Sequence, residues 1–485
     1  MTTIPGFWVT WFLSRIQPSR FYPSAWRSGP KLTSKWKRPL QITGTHINKI
    51  KDAVRQPLPE LNQTVLADYV NTFQKQAASY ISICRQHGSP LYIFDQAALL
   101  HRAQQFTSAF KEYFAEFQAY FAVKSNNHPS VAATLVDFGL GLDVSSGLEL
   151  EAALRSGCRD ILFSGPGKTE HELRMAVKHH RSVTVLMDSF GELAGLEKAA
   201  RKEKSRVRSG VRLCTNEKGL WRKFGIPLSD LGAFMSEADQ CPHVDVTGLQ
   251  FHTSWNLNPK NQTAFLARLS ENLRSLSAEH LSAIKFVDIG GGYWPSRGEW
   301  LQPYGTPSGR VLQSSGIEIS NPMAHYGIDA VSIETFAERI AAAMETHIFP
   351  LVSCNVKAEP GRWLCDDAMH ILVTVIDKKA EDLVITDGGI HLIGWERFET
   401  DYAPVINLTR PSRAERQCLI MGSLCTPHDI WGYGYFGNGI EPGDVLLIPG
   451  QGAYTYSLRQ HFIKPLAKIV NLINGKVEQN DTAVD

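Results

Sequence analysis

Gln118-Ala119-Tyr120-Phe121-Ala122-Val123-Lys124 is an apolar run, rich in aromatic and β-branched residues, that closes on a lysine and is followed by Ser125-Asn126. Such a run reads as a buried strand. An ammonium at its end is costly to bury unless its charge is met or removed. Two readings are open for Lys124. It is a lysine that snorkels to the surface past an apolar stem, or an amine that forms a Schiff base with a carbonyl cofactor at the strand end.

Outward from this stretch the pattern repeats. Eight candidate strands lie near residues 118–124, 140–145, 160–164, 183–188, 207–214, 246–252, 285–290 and 352–359, alternating with helical patterns. Helix starts follow closely: Ser146-x-x-Glu149, Thr169-x-x-Glu172 and Ser189-x-x-Glu192 are capping-box patterns. Gly139 and Gly157 stand where helices should stop. Eight β/α units predict a closed TIM-type (β/α)8 barrel with its chemistry at the carboxyl ends of the strands; an open doubly wound sheet is the structural alternative.

After residue 365 the texture changes to strands and turns, in HILVTVID, DLVITDG, PVINLT, QCLIMGSLC, DVLLIPG and KIVNLING. That predicts an all-β C-terminal domain. The expected division is a basic N-terminal extension over 1–85, the barrel over 86–350 and the β domain over 351–485. The last barrel strand near 352–359 crosses that boundary, and a strand near 90–95 is free to join the β domain. Residues 293–331, rich in Gly, Pro and Ser, read as a long loop on the active face of the barrel.

Bulk properties bound the function classes. A chain of 485 residues with 43% hydrophobic and 20% charged residues is an ordinary soluble globular protein, too long for one small core. A net charge of +2 gives no global case for a nucleic-acid partner. The eight cysteines are scattered without a C-x-x-C pair, which suits reduced thiols in the cytoplasm and suggests neither a metal site nor a disulfide framework. The first 51 residues lack acids but carry Arg15, Arg20, Arg27, Lys31, Lys35, Lys37 and Arg38 among aromatic residues. Their apolar run, Phe7 to Leu13, is too short to span a bilayer. A targeting or surface-binding arm and an extension packed on the main body both remain open.

Unusual residues gather at the predicted strand ends. Asp288-Ile289-Gly290-Gly291-Gly292 ends the seventh strand, where successive glycines suit either a phosphate cradle or a tight turn. Glu359-Pro360-Gly361-Arg362 ends the eighth, pairing an acid with an arginine suited to a phosphate or carboxylate, or to that acid itself. His252 in Phe251-His252-Thr253-Ser254 sets a flat ring beside two hydroxyls at the end of the sixth, as a functional group or as a satisfied core histidine.

With these residues in view, the chain resembles the pyridoxal-phosphate decarboxylases of the alanine-racemase-like fold, the group of diaminopimelate, ornithine and arginine decarboxylases. The resemblance runs from about Pro90 to Tyr456 through PLYIFD, FAVKSN, DVSSG, Lys223-Phe224-Gly225-Ile226, the His252 motif, DIGGG, EPGR, Gly422-Ser423-Leu424-Cys425 with Asp429, and Gly452-Ala453-Tyr454.

It implies decarboxylation of a diamino or basic amino acid through an aldimine of Lys124 with pyridoxal 5'-phosphate. Glu359 would keep the pyridine nitrogen protonated, where the related racemases place an arginine. His252 would stack on the ring. Gly290, Gly291, Gly292, Arg362 and Tyr454 would bind the phosphate, and Asp143 and Arg212 would support the site. Cys425 would protonate Cα from the partner subunit of a homodimer.

Two departures stand out. Ser254 follows His252 by two positions rather than three, which puts its phosphate contact in question. Thr426 replaces the carboxylate that reads a distal amine in the diaminopimelate and ornithine enzymes, leaving Asp429 as the nearest acid for the substrate. An amino-acid racemase or epimerase on the same scaffold, and a non-catalytic relative acting through protein partners, are the rival readings.

Overall fold

The computed structural model describes residues 44–55, 58–317, 321–395, 400–473 and 476–478. Most of the basic arm, residues 1–43, lies outside the described residues. Eight parallel strands close a barrel: β2 (Gln118–Ala122), β3 (Gly141–Val144), β4 (Ile161–Phe163), β5 (Val183–Met187), β6 (Val207–Leu213), β7 (Val244–Phe251), β8 (Phe286–Asp288) and β11 (Asn355–Ala358), which returns to β2. The TIM-type barrel expectation holds, and the open sheet does not. The first strand is shorter than expected: it ends at Ala122, and Lys124 sits in a single 3-10 turn over Val123–Ser125.

The barrel floor is filled by Tyr120, Leu162, Leu186 and Phe286, all buried. Phe286 fits only because β7 carries Gly248 there, where a Cβ would lie 2.0 Å from the ring. At the helix starts, only Thr169 closes a full capping box. Ser146 and Ser189 accept the backbone N–H three residues on, but Glu149 turns to Ser145 N and Glu192 to Lys168. A buried lysine outcompetes a backbone amide for a carboxylate because the alternative is an unpaired charge.

Nine further strands form a second sheet in the order β13-β15-β16-β14-β17-β12-β1-β18-β19. These are β1 (Leu91–Asp95), β12 (Met369–Ala380), β13 (Leu383–Thr386), β14 (Ile406–Asn407), β15 (Glu415–Met421), β16 (Ile430–Phe436), β17 (Val445–Ile448), β18 (Lys468–Ile473) and β19 (Lys476–Glu478). Because β13 also pairs with β12, six of them close on themselves. β1 precedes the barrel yet pairs antiparallel to β12 and parallel to β18.

Residues 293–331 are not the structureless loop expected from their composition. They carry β9 (Glu299–Leu301) and β10 (Tyr326–Ile328), an antiparallel pair, and a helix over Pro307–Ser314. Residues 63–87, all but the last two expected within the extension, form two helices, Gln63–Gln74 and Ala77–His87. Their Leu66, Val70, Phe73, Tyr80 and Ile83 share a buried cluster with Leu91, Ile93, Leu372 and Leu447 of the sheet. Among the described residues no helix is long and apolar enough to cross a membrane.

His370 of β12 seals this contact. It meets the edges of Phe73 and Tyr80 with ring centroids 5.1 and 6.3 Å away, and accepts Gly450 N–H on Nδ1 at 3.2 Å. Burial pushes its pKa down to about 4, against an ordinary 6.5. With the folded value depressed, the unfolded chain takes up the proton first on acidification. This contribution is therefore complete above the ordinary value and is lost as pH falls toward the folded one, by about 3 kcal/mol. His370→Gln keeps an acceptor for Gly450. Its Tm should fall less steeply than the wild-type Tm across that window; equal slopes would place the titration elsewhere.

Candidate functional site

Every barrel strand delivers its last residues to one end, and there a cavity of about 490 Å³ opens. Lys124, Arg212, His252, Ser254, Gly292, Glu359, Arg362 and Tyr454 all line it. Eight of the sequence candidates thus meet around one space of the size that small-molecule sites have.

The lysine is neither stranded nor snorkelling to the outer surface. Its Nζ lies 2.5 Å from Asp143 Oδ2 at the end of β3, and Asp143 Oδ1 accepts Ser164 Oγ at 2.5 Å. Asp143 is fully buried, whereas the Lys124 side chain is 35% accessible. Burial works against the ammonium, but the carboxylates of Asp143 and Glu359 outweigh it and hold Lys124 above the ordinary lysine pKa.

Glu359, at the end of β11, is 3% exposed and accepts Gln250 Nε2 on Oε1 at 3.0 Å. Burial alone would raise its pKa; the positive charges of Lys124 and Arg212, with the His252 ring beside it, hold it below the ordinary carboxyl value. It is an ionised acceptor facing the cavity.

His252 is fixed as a neutral ring. Gly291 N–H donates to Nδ1 at 3.2 Å, so the proton belongs on Nε2, 3.3 Å from Ser254 Oγ. Burial pushes its pKa down, with Glu359 opposing, which agrees with an uncharged ring.

The three glycines pack against neighbouring strand ends. A Cβ on Gly290, Gly291 or Gly292 would lie 2.3, 2.3 or 2.2 Å from the carbonyl oxygens of Phe251, Glu359 and Thr253. Gly290 N–H donates to Asp288 Oδ1 and Gly291 N–H to His252, so these two shape the cradle from behind while Gly292 lines it. Of the three glycines expected at a phosphate, Gly292 is the one that lines the cavity.

Arg362 lies over the rings of Trp294 and Tyr454, 4.4 and 5.2 Å from their centroids. Tyr454 holds a left-handed φ of 59°, with its N–H on Ser125 O at 2.8 Å. Arg212 stacks on Phe224 at 4.5 Å and lies 3.8 Å from Asp188 Oδ1, while Asp188 Oδ2 accepts Gly225 N–H at 3.0 Å. The Lys223–Ile226 motif is thereby tied to the arginine.

The candidates on the loop after β15 lie elsewhere. Cys425 is exposed, Thr426 is half-buried, and neither lines the cavity. Asp429 is corrected from a substrate-facing acid to a buried anchor. It is 1% exposed, and its Oδ1 and Oδ2 accept Ile390 N–H at 2.7 Å and Leu424 N–H at 2.6 Å. Gln250 and Ser164, which reach Glu359 and Asp143, were missed. Their signal was available: each is polar, buried, and at or near a strand end.

This donor set fits pyridoxal 5'-phosphate: an accessible amine, an ionised carboxylate across the same space, a flat neutral ring, and an arginine and hydroxyl beside a cradle with no room for a Cβ. Comparison with known proteins agrees. Residues 98–366 match the model of the pyridoxal-dependent decarboxylases, pyridoxal binding domain. The chain is 25% identical over 411 residues to an L-glutamyl-[BtrI acyl-carrier protein] decarboxylase of Niallia circulans, covering 80% of this chain and 89% of that one. It is 23% identical over 403 residues to a diaminopimelate decarboxylase of Campylobacter jejuni, covering 79% and 90%. The fold matches diaminopimelate decarboxylase from Helicobacter pylori complexed with L-lysine, with a TM-score of 0.67, 21% identity, and 82% of this chain and 95% of that one covered. The matched segment spans the whole barrel from the helix after β1 through β11, and the chain belongs to the family of pyridoxal-dependent decarboxylases.

Proposed function

We propose that this protein removes the α-carboxylate of an amino acid as carbon dioxide, with two copies of the chain completing each other's sites. The observation that carries this reading is the pairing of the Lys124 ammonium and the Glu359 carboxylate on the walls of one cavity.

When bound, pyridoxal phosphate accepts the electron pair that the departing carboxylate leaves on Cα. Lys124 would hold the cofactor and exchange protons with the amine of the substrate, with Asp143 keeping it charged until it is called on. Glu359 supplies a fixed negative charge for a protonated ring nitrogen, and Gln250 fixes its orientation. The neutral ring of His252 offers a flat face, held by Gly291. Arg362, Ser254, Gly292 and Tyr454 would receive the phosphate, and Arg212 adds positive charge from the far wall.

Cys425 is assigned to the neighbouring copy. It is exposed, and Asp429 anchors its loop through Leu424 N–H. From there its thiol would deliver a proton to Cα. Mixing a Lys124→Ala chain with a Cys425→Ser chain should restore activity that neither has alone, since one hybrid site carries both native residues; no recovery on mixing would confine the site to one chain. The eight unpaired thiols support a reducing compartment such as the cytoplasm.

The named relatives act on diaminopimelate and on a carrier-bound L-glutamyl group, and this chain is assigned an α-amino acid with a functional group at its far end. The test is carbon dioxide release from a panel of lysine, ornithine, arginine, diaminopimelate, glutamate and 2-aminoadipate, with mass analysis of the amines. Racemised substrate without carbon dioxide would replace decarboxylation by epimerisation.

A further inference from the structure

The cavity has a second charged wall that the groups above do not use. Arg297, carried by the insertion between β8 and β9, lines it together with Trp300 and Asp366. Three separate segments hold this guanidinium. Nη1 donates to the Tyr69 hydroxyl of the N-terminal helix pair at 3.0 Å, Nη2 lies 2.6 Å from Asp366 Oδ2, and the group sits 5.2 Å from the Trp300 ring centroid. β17 runs into Gly450 beside it, where a Cβ would stand 3.1 Å from both terminal nitrogens.

The pair is asymmetric. The Arg297 side chain is 26% accessible and Asp366 only 3%, so the cation offers the cavity far more surface than its acid does. Their contact also lacks hydrogen-bond geometry at Asp366 Oδ2. A guanidinium has five N–H donors in a plane, and Tyr69 and Asp366 engage only part of that fork. On the loop that carries Cys425, Thr426 is neutral and both oxygens of Asp429 are bound to backbone amides.

We propose that Arg297 is a specificity-determining residue that binds a carboxylate at the far end of the amino-acid substrate, so that acid-ended substrates are preferred over amine-ended ones. This rests on the decarboxylase reading. The carboxylate would take the unused edge of the guanidinium as a planar, charge-assisted acceptor.

The test uses the full-length holoenzyme, with L-2-aminoadipate and L-lysine as substrates and glutarate as a non-reacting probe followed by calorimetry. Wild type is expected to favour 2-aminoadipate in kcat/KM and to bind glutarate. Arg297→Gln should lower the 2-aminoadipate to lysine ratio by about ten- to hundredfold, the range that a charge-assisted hydrogen bond controls, and weaken glutarate by a similar factor. Arg297→Lys should recover part of both, and cofactor absorbance confirms that each variant is loaded. Equal losses on both substrates, or glutarate bound equally by wild type and Arg297→Gln, would reduce Arg297 to a latch between segments and overturn the proposal. Carbon dioxide from lysine with neither 2-aminoadipate turnover nor glutarate binding overturns it while leaving decarboxylation intact. Arg297-dependent glutarate binding with no carbon dioxide from any substrate supports the anion site and sinks the decarboxylase reading instead.

Discussion

Lys124→Ala is expected to abolish covalent retention of pyridoxal phosphate and to cut turnover by at least about a thousandfold, because it removes both the tether and the proton-exchanging amine. Lys124 is the one lysine among the described residues lining the cavity, so no neighbouring ε-amine stands in for it. The substitution also strips Asp143 of its counter-charge. Losing one partner of a buried ion pair costs about 3–5 kcal/mol when the other stays charged. Asp143 has an outlet: burial already pushes its pKa up, with Lys124 opposing, so without the lysine it takes up a proton. The variant should therefore fold with a lowered Tm, and Lys124→Ala combined with Asp143→Asn should regain part of that Tm without regaining activity. Borohydride reduction of the wild-type holoenzyme followed by peptide mass analysis should place the cofactor on Lys124. A label on another lysine, or a Lys124→Ala protein that keeps its cofactor through dialysis and denaturation, would sink the assignment.

Much of this site was legible because it rests on local pattern. Each barrel strand is an apolar run of a few residues that gives way at its carboxyl end to a polar group or a glycine. That is why Lys124, His252, the 290–292 glycines and Glu359 could be picked out and why they converge. What stayed hidden depends on contacts between distant segments. β16 was passed over because Gly432 and Gly434 weaken its strand pattern. Gly434 is needed since a Cβ there would lie 2.3 Å from Met323 Cε of the insertion, over a hundred residues earlier in the chain. Asp429 was read as the nearest acid for the substrate because nothing near it in sequence shows that Ile390 N–H comes to meet its carboxylate. Likewise, no local signal links Arg297 to Tyr69 and Asp366. Composition also misjudged 293–331: glycine and proline predict loops, and here they bracket a short strand pair whose Trp300 enters the core.

Glu359→Gln should lower kcat by about a hundred- to a thousandfold, the cost of removing one preorganised electrostatic contact to a developing charge, while changing cofactor affinity by less than about tenfold. The amide is close to the carboxylate in shape and still accepts Gln250 Nε2, so the packing of a side chain that is 3% exposed survives. What disappears is a negative charge. A neutral amide cannot balance a protonated ring nitrogen, and the positive groups nearby, Lys124 and Arg212, lose a counter-ion they share. Since Glu359 contributes to the raised pKa of Lys124, the variant lysine should titrate lower than in wild type. The pH profile separates this role from a structural one. Glu359 stays ionised below the ordinary carboxyl value of 4.5, so its protonation does not set the acid limb of the wild-type profile above that pH. The variant should show a lower plateau with the acid limb unmoved. Unchanged turnover would remove Glu359 from the reaction, and loss of the cofactor at unchanged Tm would assign it to binding alone.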